Sequence, residues 1–120
     1  MAKKVLVVDD EPQFVDMVKM RLEANGYEVI SASNGNEGLK SAKQHRPDVI
    51  LLDIIMPEKD GYTMLRELRG DEQIRHIPVI VVTVKPSMKD LFEIEGVRDY
   101  IVKPFETEEL LLRVKKALRE

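Results

Sequence analysis

Val5-Leu6-Val7-Val8-Asp9-Asp10 is the stretch whose reading decides the fold. Four apolar residues without polar alternation suit a strand buried on both faces, as in a parallel sheet covered by helices. The pattern recurs along the chain. Val49-Ile50-Leu51-Leu52 runs into Asp53, Val79-Ile80-Val81-Val82 into Thr83, and Tyr100-Ile101-Val102 into Lys103-Pro104. In parallel sheets of this kind ligands bind beyond the carboxyl ends of the strands. Three carboxylates, a hydroxyl and an ammonium, scattered through the sequence, are therefore expected at one sheet edge. Such a group suits cations and phosphate.

The segments between the runs carry helical signals. Pro12 stands where a first helical turn begins, and Phe14, Val15, Val18 and Leu22 mark one helical face before Asn25-Gly26 closes it. Tyr27 to Ala32 reads as a second strand. Asn34-x-x-Glu37 resembles a helix-start box, and that helix is expected to reach Gln44, before Pro47. The third strand is expected over Val49 to Asp53, and Asp60 can cap a helix carrying Met64, Leu65 and Leu68. Pro78 opens the fourth strand. Ser87-x-x-Asp90 can cap a helix that stops at Gly96, followed by a fifth strand over Asp99 to Lys103. The final helix starts near Thr107 with Leu110, Leu111, Val114 and Leu118 at helical spacing. Strands and helices alternate throughout, which predicts an α/β fold: a doubly wound, five-stranded parallel sheet of order 2-1-3-4-5 with helices on both faces. That order puts strands one and three side by side, so Asp9, Asp10 and Asp53 become neighbours.

Composition narrows the function classes. The chain has 120 residues, enough for one domain with a real core, and no cysteine, which excludes thiol catalysis, disulfides and zinc-thiolate sites. The absence of cysteine fits a reducing cytoplasm. A net charge of −3 gives no reason to expect direct nucleic-acid binding. No apolar stretch is long enough to span a membrane. Met1-Ala2-Lys3-Lys4 followed by an apolar run looks superficially like a signal peptide, but the run is too short and ends in two aspartates.

Taken singly, the site residues have ordinary explanations. An acidic pair before a helix is more often a cap or a favourable charge at the helix dipole. Thr83 suits a strand as a β-branched residue, and Lys103 could be a solvated lysine. Together they say more. Converging carboxylates repel and raise each other's pKa values, and a hard divalent cation such as Mg²⁺ relieves this with a small number of carboxylates plus waters and phosphate oxygens. His45 and His76 lack a metal-binding pattern, the methionines read as core filler, and Lys115-Lys116 reads as a solvated helix face.

With these residues in place, the chain resembles a response-regulator receiver domain, the chemotaxis-regulator-like, flavodoxin-like module of two-component signalling. The resemblance rests on Val5-Leu6-Val7-Val8-Asp9-Asp10-Glu11, Asp48-Val49-Ile50-Leu51-Leu52-Asp53-Ile54-Ile55-Met56-Pro57, Asp60-Gly61, Val79-Ile80-Val81-Val82-Thr83 and Asp99-Tyr100-Ile101-Val102-Lys103-Pro104-Phe105, in family order and near-family spacing. It implies that Asp53 is the phosphoacceptor, attacking a phosphohistidine and becoming an acyl phosphate. Asp10 and Asp53 would ligate Mg²⁺, Asp9 would act through a water, and the Ile55 backbone carbonyl would be a further ligand. Lys103 would pair with phosphoryl oxygens and Thr83 would donate its hydroxyl to one. Tyr100 resembles the aromatic that leaves the surface when the threonine moves, and the Lys103-Pro104 bond would be cis by family precedent. The implied partners are a sensor histidine kinase or a histidine phosphotransfer protein, with a downstream target that the sequence does not name.

The chain as given is read as a single receiver domain over residues 1–120 with no output domain in it, equally a stand-alone receiver or a domain cut from a larger protein, and the resemblance implies that it is not an enzyme on external substrates. Phosphorylation would change the face built from the Ser87–Gly96 helix, the fifth strand and the final helix. The sequence departs from the family at Val84, where a small residue is usual, and in a slightly short segment between Thr83 and Lys103. Ile55 and Lys85 occupy positions that tune phosphate lifetime. Val84 is expected to gate access to Asp53, and exposed Phe14 to contact a partner. Three other readings compete. A magnesium-dependent aspartyl-phosphate phosphatase needs Asp-x-Asp after strand one and a cap insertion, where this chain has Asp9-Asp10-Glu11 and no insertion. A flavodoxin-like electron carrier needs a phosphate loop where Asp9-Asp10-Glu11-Pro12 would repel phosphate. A docking-only receiver is disfavoured by the full set of site residues.

Overall fold

Every apolar run identified in the sequence forms a strand. The computed structural model describes residues 2–54, 56, 60–84 and 96–119. Its strands are β1 (Lys4–Val8), β2 (Glu28–Ala32), β3 (Val49–Leu52), β4 (Val79–Thr83) and β5 (Asp99–Val102), all parallel in the order β2-β1-β3-β4-β5. The helices are α1 (Pro12–Ala24), α2 (Gly35–His45), α3 (Gly61–Arg69) and α4 (Thr107–Leu118). The helix expected from Ser87 falls in residues 85–95, outside the described residues.

The alternation of side chains across a strand explains why the runs are apolar throughout. Leu6, Val8, Ile50, Leu52, Val79 and Val81 point to the face covered by α2 and α3, where they pack with Ala42, Met64, Leu65 and Leu68. Their neighbours Val5, Val7, Val49, Leu51, Ile80 and Val82 point to the opposite face and meet Val18 and Leu22 of α1 and Leu110 and Val114 of α4. Each residue of these three runs is thus interior whichever way it points, and no polar residue can take the alternate positions without losing water.

Helix starts follow local chemistry. Pro12 opens α1, where its missing N–H costs nothing. The Asn34 side chain accepts from the Glu37 N–H at 2.9 Å, and the Asp60 side chain accepts from the Thr63 N–H at 2.8 Å. The Glu37 carboxylate reaches back to the Ser33 hydroxyl at 3.1 Å, one residue before the position a standard capping box would use. Helix α2 extends one residue past the expected Gln44, and Arg46 closes it at φ 47°. Strands β3 and β5 stop one residue earlier than expected, leaving Asp53 and Lys103 just beyond the ladder. The ladder still fixes them. The Asp53 N–H donates to the Val8 carbonyl at 3.0 Å, Asp9 to Ala32 at 3.0 Å, and Lys103 to Thr83 at 2.7 Å.

Gly61 makes a very tight backbone approach. A Cβ there would lie 2.2 Å from the Asp53 carbonyl oxygen and 2.8 Å from the Ile54 Cα, while the Gly61 N–H donates to the Ile54 carbonyl at 2.9 Å. Backbone cannot yield as a side chain can. At Gly38 an added Cβ would meet the flexible end of Met64 at 2.9 Å and Val8 at 3.1 Å. Gly61→Ala is therefore expected to lose about 2–3 kcal/mol in urea denaturation, at the upper end of overpacking costs. Gly38→Ala should lose less, because Met64 can rotate and alanine is roughly 1 kcal/mol better than glycine inside a helix. Equal losses at the two positions would contradict this reading of the α3 approach.

Candidate functional site

The register of the sheet creates the site. Val8 pairs with Leu52, so the residues that follow them, Asp9 and Asp53, leave adjacent central strands side by side. Asp9 and Asp53 are buried, Asp10 is exposed, and oxygens of all three lie within 4.8 Å of one another. Thr83, at the end of β4, is fully buried.

Such crowding of carboxylates is unfavourable without a cation. Lys103 provides one. Its ammonium donates to Asp9 Oδ2 at 2.7 Å and to Glu11 Oε1 at 3.3 Å, and lies 3.7 Å from Asp53 Oδ2. Only 9% of the lysine side chain is exposed. Burial by itself would lower the lysine pKa. The Asp9 hydrogen bond and the charges of Asp53, Asp9 and Glu11 outweigh burial and raise it, so the ammonium stays charged near neutral pH. The Asp9 carboxylate is engaged on both oxygens, since Oδ1 also accepts from the Glu11 N–H at 2.9 Å.

The open space is a cleft of about 300 Å³ bounded by Asp10, Glu11, Asp53, Val84 and Lys103. Val84 is 57% exposed and stands on its rim. The donor set fits a hard divalent cation: hard carboxylate oxygens, one of them on an exposed residue, beside a cleft with room for water. The Ile55 carbonyl, an expected ligand, lies outside the described residues, as does Lys85. The Lys103-Pro104 bond is cis.

Two expectations change. Tyr100 was expected at the surface until Thr83 moves; instead it is already buried, in the same core cluster as Val81. Burial, followed by the charge of Asp53, raises its pKa. The physical reason is register: Tyr100 pairs with Val81 in the sheet, on the face that packs inward. Phe14, expected to be exposed, is half-buried. Its ring lies 3.8 Å from the Lys103 ammonium and meets Phe105 edge-on, with centroids 6.0 Å apart at 88°. Glu11 and Phe105 were not singled out in the sequence as site residues. Their signal was proximity: Glu11 follows the acidic pair and Phe105 stands two residues after Lys103.

Comparison with known proteins gives the same picture from another direction. The family model for the response regulator receiver domain matches residues 5–115. The DNA-binding dual master transcriptional regulator RpaA of Synechocystis is 40% identical over 118 residues, 97% of this chain and 49% of RpaA. The chain spans about half the length of the curated relatives it matches. The chemotaxis protein CheY4 of Vibrio cholerae superposes with a TM-score of 0.91 at 34% identity, over 98% of this chain and 100% of the other. The receiver domain of the sensor histidine kinase PA1611 of Pseudomonas aeruginosa, solved with magnesium coordinated in its active-site cleft, superposes with a TM-score of 0.91 at 30% identity over the whole of both chains. Matched in sequence and in fold over nearly its entire length, the chain belongs to the response regulator receiver domain family.

Proposed function

We propose that this domain is a phosphoacceptor switch of a two-component system or phosphorelay, taking a phosphoryl group from a phosphohistidine onto Asp53. The observation that carries this reading is the meeting of Asp9, Asp10 and Asp53 oxygens within 4.8 Å, beside a buried lysine ammonium. The donor is a sensor histidine kinase or histidine phosphotransfer protein, and the domain works in the cytoplasm and acts on no external substrate. Neither nucleic acid nor membrane is a direct partner of this surface.

An Asp53 oxygen attacks phosphorus in line. The new O–P bond forms as the N–P bond of the phosphohistidine breaks, and the imidazole nitrogen leaves with the electron pair and takes a proton from water. Such transfers depend on positioning and charge neutralisation more than on covalent help from the protein. A magnesium ion, held by Asp10 and Asp53 and by Asp9 through water, would neutralise phosphoryl charge. Lys103 lies 3.7 Å from Asp53, close enough to turn from Asp9 onto a phosphoryl oxygen. Thr83 donates its hydroxyl to another. Phosphorylation then holds Tyr100 inside and shifts a two-state population toward the active arrangement of the face around β5 and α4. Val84 narrows the path by which donors and water reach Asp53, because a β-branched side chain is bulky and stiff.

Acetyl phosphate with Mg²⁺ should label the protein stoichiometrically by intact mass, and Asp53→Asn should abolish the adduct. Equal labelling of that variant would exclude Asp53 as the acceptor. In the same time courses Val84→Ala should gain and lose phosphate faster, whereas unchanged rates would show that Val84 is no gate.

Metal binding separates the aspartates. Asp9 is already engaged on both oxygens, while Asp10 is exposed toward the cleft. Calorimetric titration should show Mg²⁺ affinity lost in Asp10→Ala and weakened less in Asp9→Ala. Unchanged affinity in Asp10→Ala would remove the metal from this position.

A further inference from the structure

The Lys103 ammonium has carboxylates on one side and an aromatic face on the other. Asp9 and Glu11 accept from it at 2.7 and 3.3 Å, and the Phe14 centroid lies 3.8 Å away. An ammonium with three rotatable donors can bond a carboxylate from many approaches, and the lysine stem is flexible. A ring face fixes direction, because its attraction is confined to the region over the ring. This ring is itself held. Phe14 stands in the first turn of α1, Phe105 follows Lys103 by two residues, and the two rings meet edge to face at 6.0 Å and 88°. Phe105 thus braces the ring that lies against the ammonium. Helix α1 and the segment after β5 are brought together by that contact, on the wall of an adjoining hollow lined by Met17, Val84 and Pro104.

We propose that Phe14 is a positioning residue for phosphoryl transfer, seating the Lys103 ammonium on its ring face at the edge of the Asp53 cleft; this rests on the phosphoacceptor reading above. With the seat in place, the ammonium exchanges Asp9 for a phosphoryl oxygen without first being gathered from solvent. Leucine at this position would fill the volume and lack the ring quadrupole. Tyrosine would keep the ring.

The test compares wild type, Phe14→Leu and Phe14→Tyr in two measurements. The first is the NMR shift of the Lys103 ε-methylene protons, which the ring face displaces upfield. The second is the rate of Asp53 labelling by acetyl phosphate with Mg²⁺. Phe14→Leu should lose the upfield displacement and label roughly fivefold more slowly, the effect of one cation–π contact of ordinary strength. Phe14→Tyr should retain both. A leucine variant that labels at the wild-type rate, or whose Lys103 protons do not move, would overturn the positioning role. Slow labelling in both variants would equally overturn it, since loss of packing would then be the cause. If wild type itself takes no phosphoryl group, the phosphoacceptor reading fails. The ring-current result then still decides the seat: loss in Phe14→Leu upholds it, and no change overturns it.

Discussion

Three carboxylates at the end of a buried parallel sheet repel one another, and the Lys103 ammonium holds the two buried ones, Asp9 and Asp53, together. Without it, Asp9 and Asp53 would be two buried negative charges side by side, a costly arrangement in a low-dielectric environment. With it, Asp9 is bonded at 2.7 Å and Asp53 remains close at 3.7 Å. The distances differ in a useful way. Asp9 is fully engaged, while Asp53, the proposed nucleophile, borders the cleft. A single cation therefore stabilises this edge of the sheet and leaves Asp53 bordering the cleft.

The rest of the architecture serves this arrangement. Parallel pairing of Val8 with Leu52 places the aspartates side by side, and β4 and β5 bring Thr83 and Lys103 to the same edge. The first residue after each of β1, β3 and β5 is tied by its N–H to a neighbouring strand, so the functional side chains start from fixed backbone. Gly61 lets the start of α3 press against the backbone of Asp53. Precision of this kind matters for phosphoryl transfer, where misplacement of a reacting group by an ångström is expensive.

Much of this was readable from sequence because it follows from local chemistry. Four apolar residues before a charged one announce a doubly buried strand and its carboxyl end, and Pro12, Asn34 and Asp60 announce helix starts. The strand order then follows from few alternatives, and with it the meeting of Asp9, Asp10 and Asp53. What sequence did not convey were choices among competing partners. Nothing in Lys103 says that its ammonium prefers Asp9 to Asp53, or that Phe14 turns beneath it rather than toward solvent. Tyr100 is an intermediate-polarity residue that suits surface or core equally, and only its register beside Val81 decides. These are rotamer and packing outcomes, set by residues distant in sequence.

In the proposed transfer Lys103 is a cation that changes partners, leaving Asp9 for the phosphoryl group on Asp53. A crystal structure of the protein with Mg²⁺ and beryllofluoride, a phosphoryl mimic, tests this directly. Beryllofluoride is expected on Asp53, with the Lys103 ammonium within hydrogen-bond distance of a fluorine, its contact with Asp9 lengthened, and Tyr100 still buried. Beryllofluoride on Asp53 with Lys103 unmoved from Asp9, or beryllofluoride on another residue, would contradict the proposed transfer.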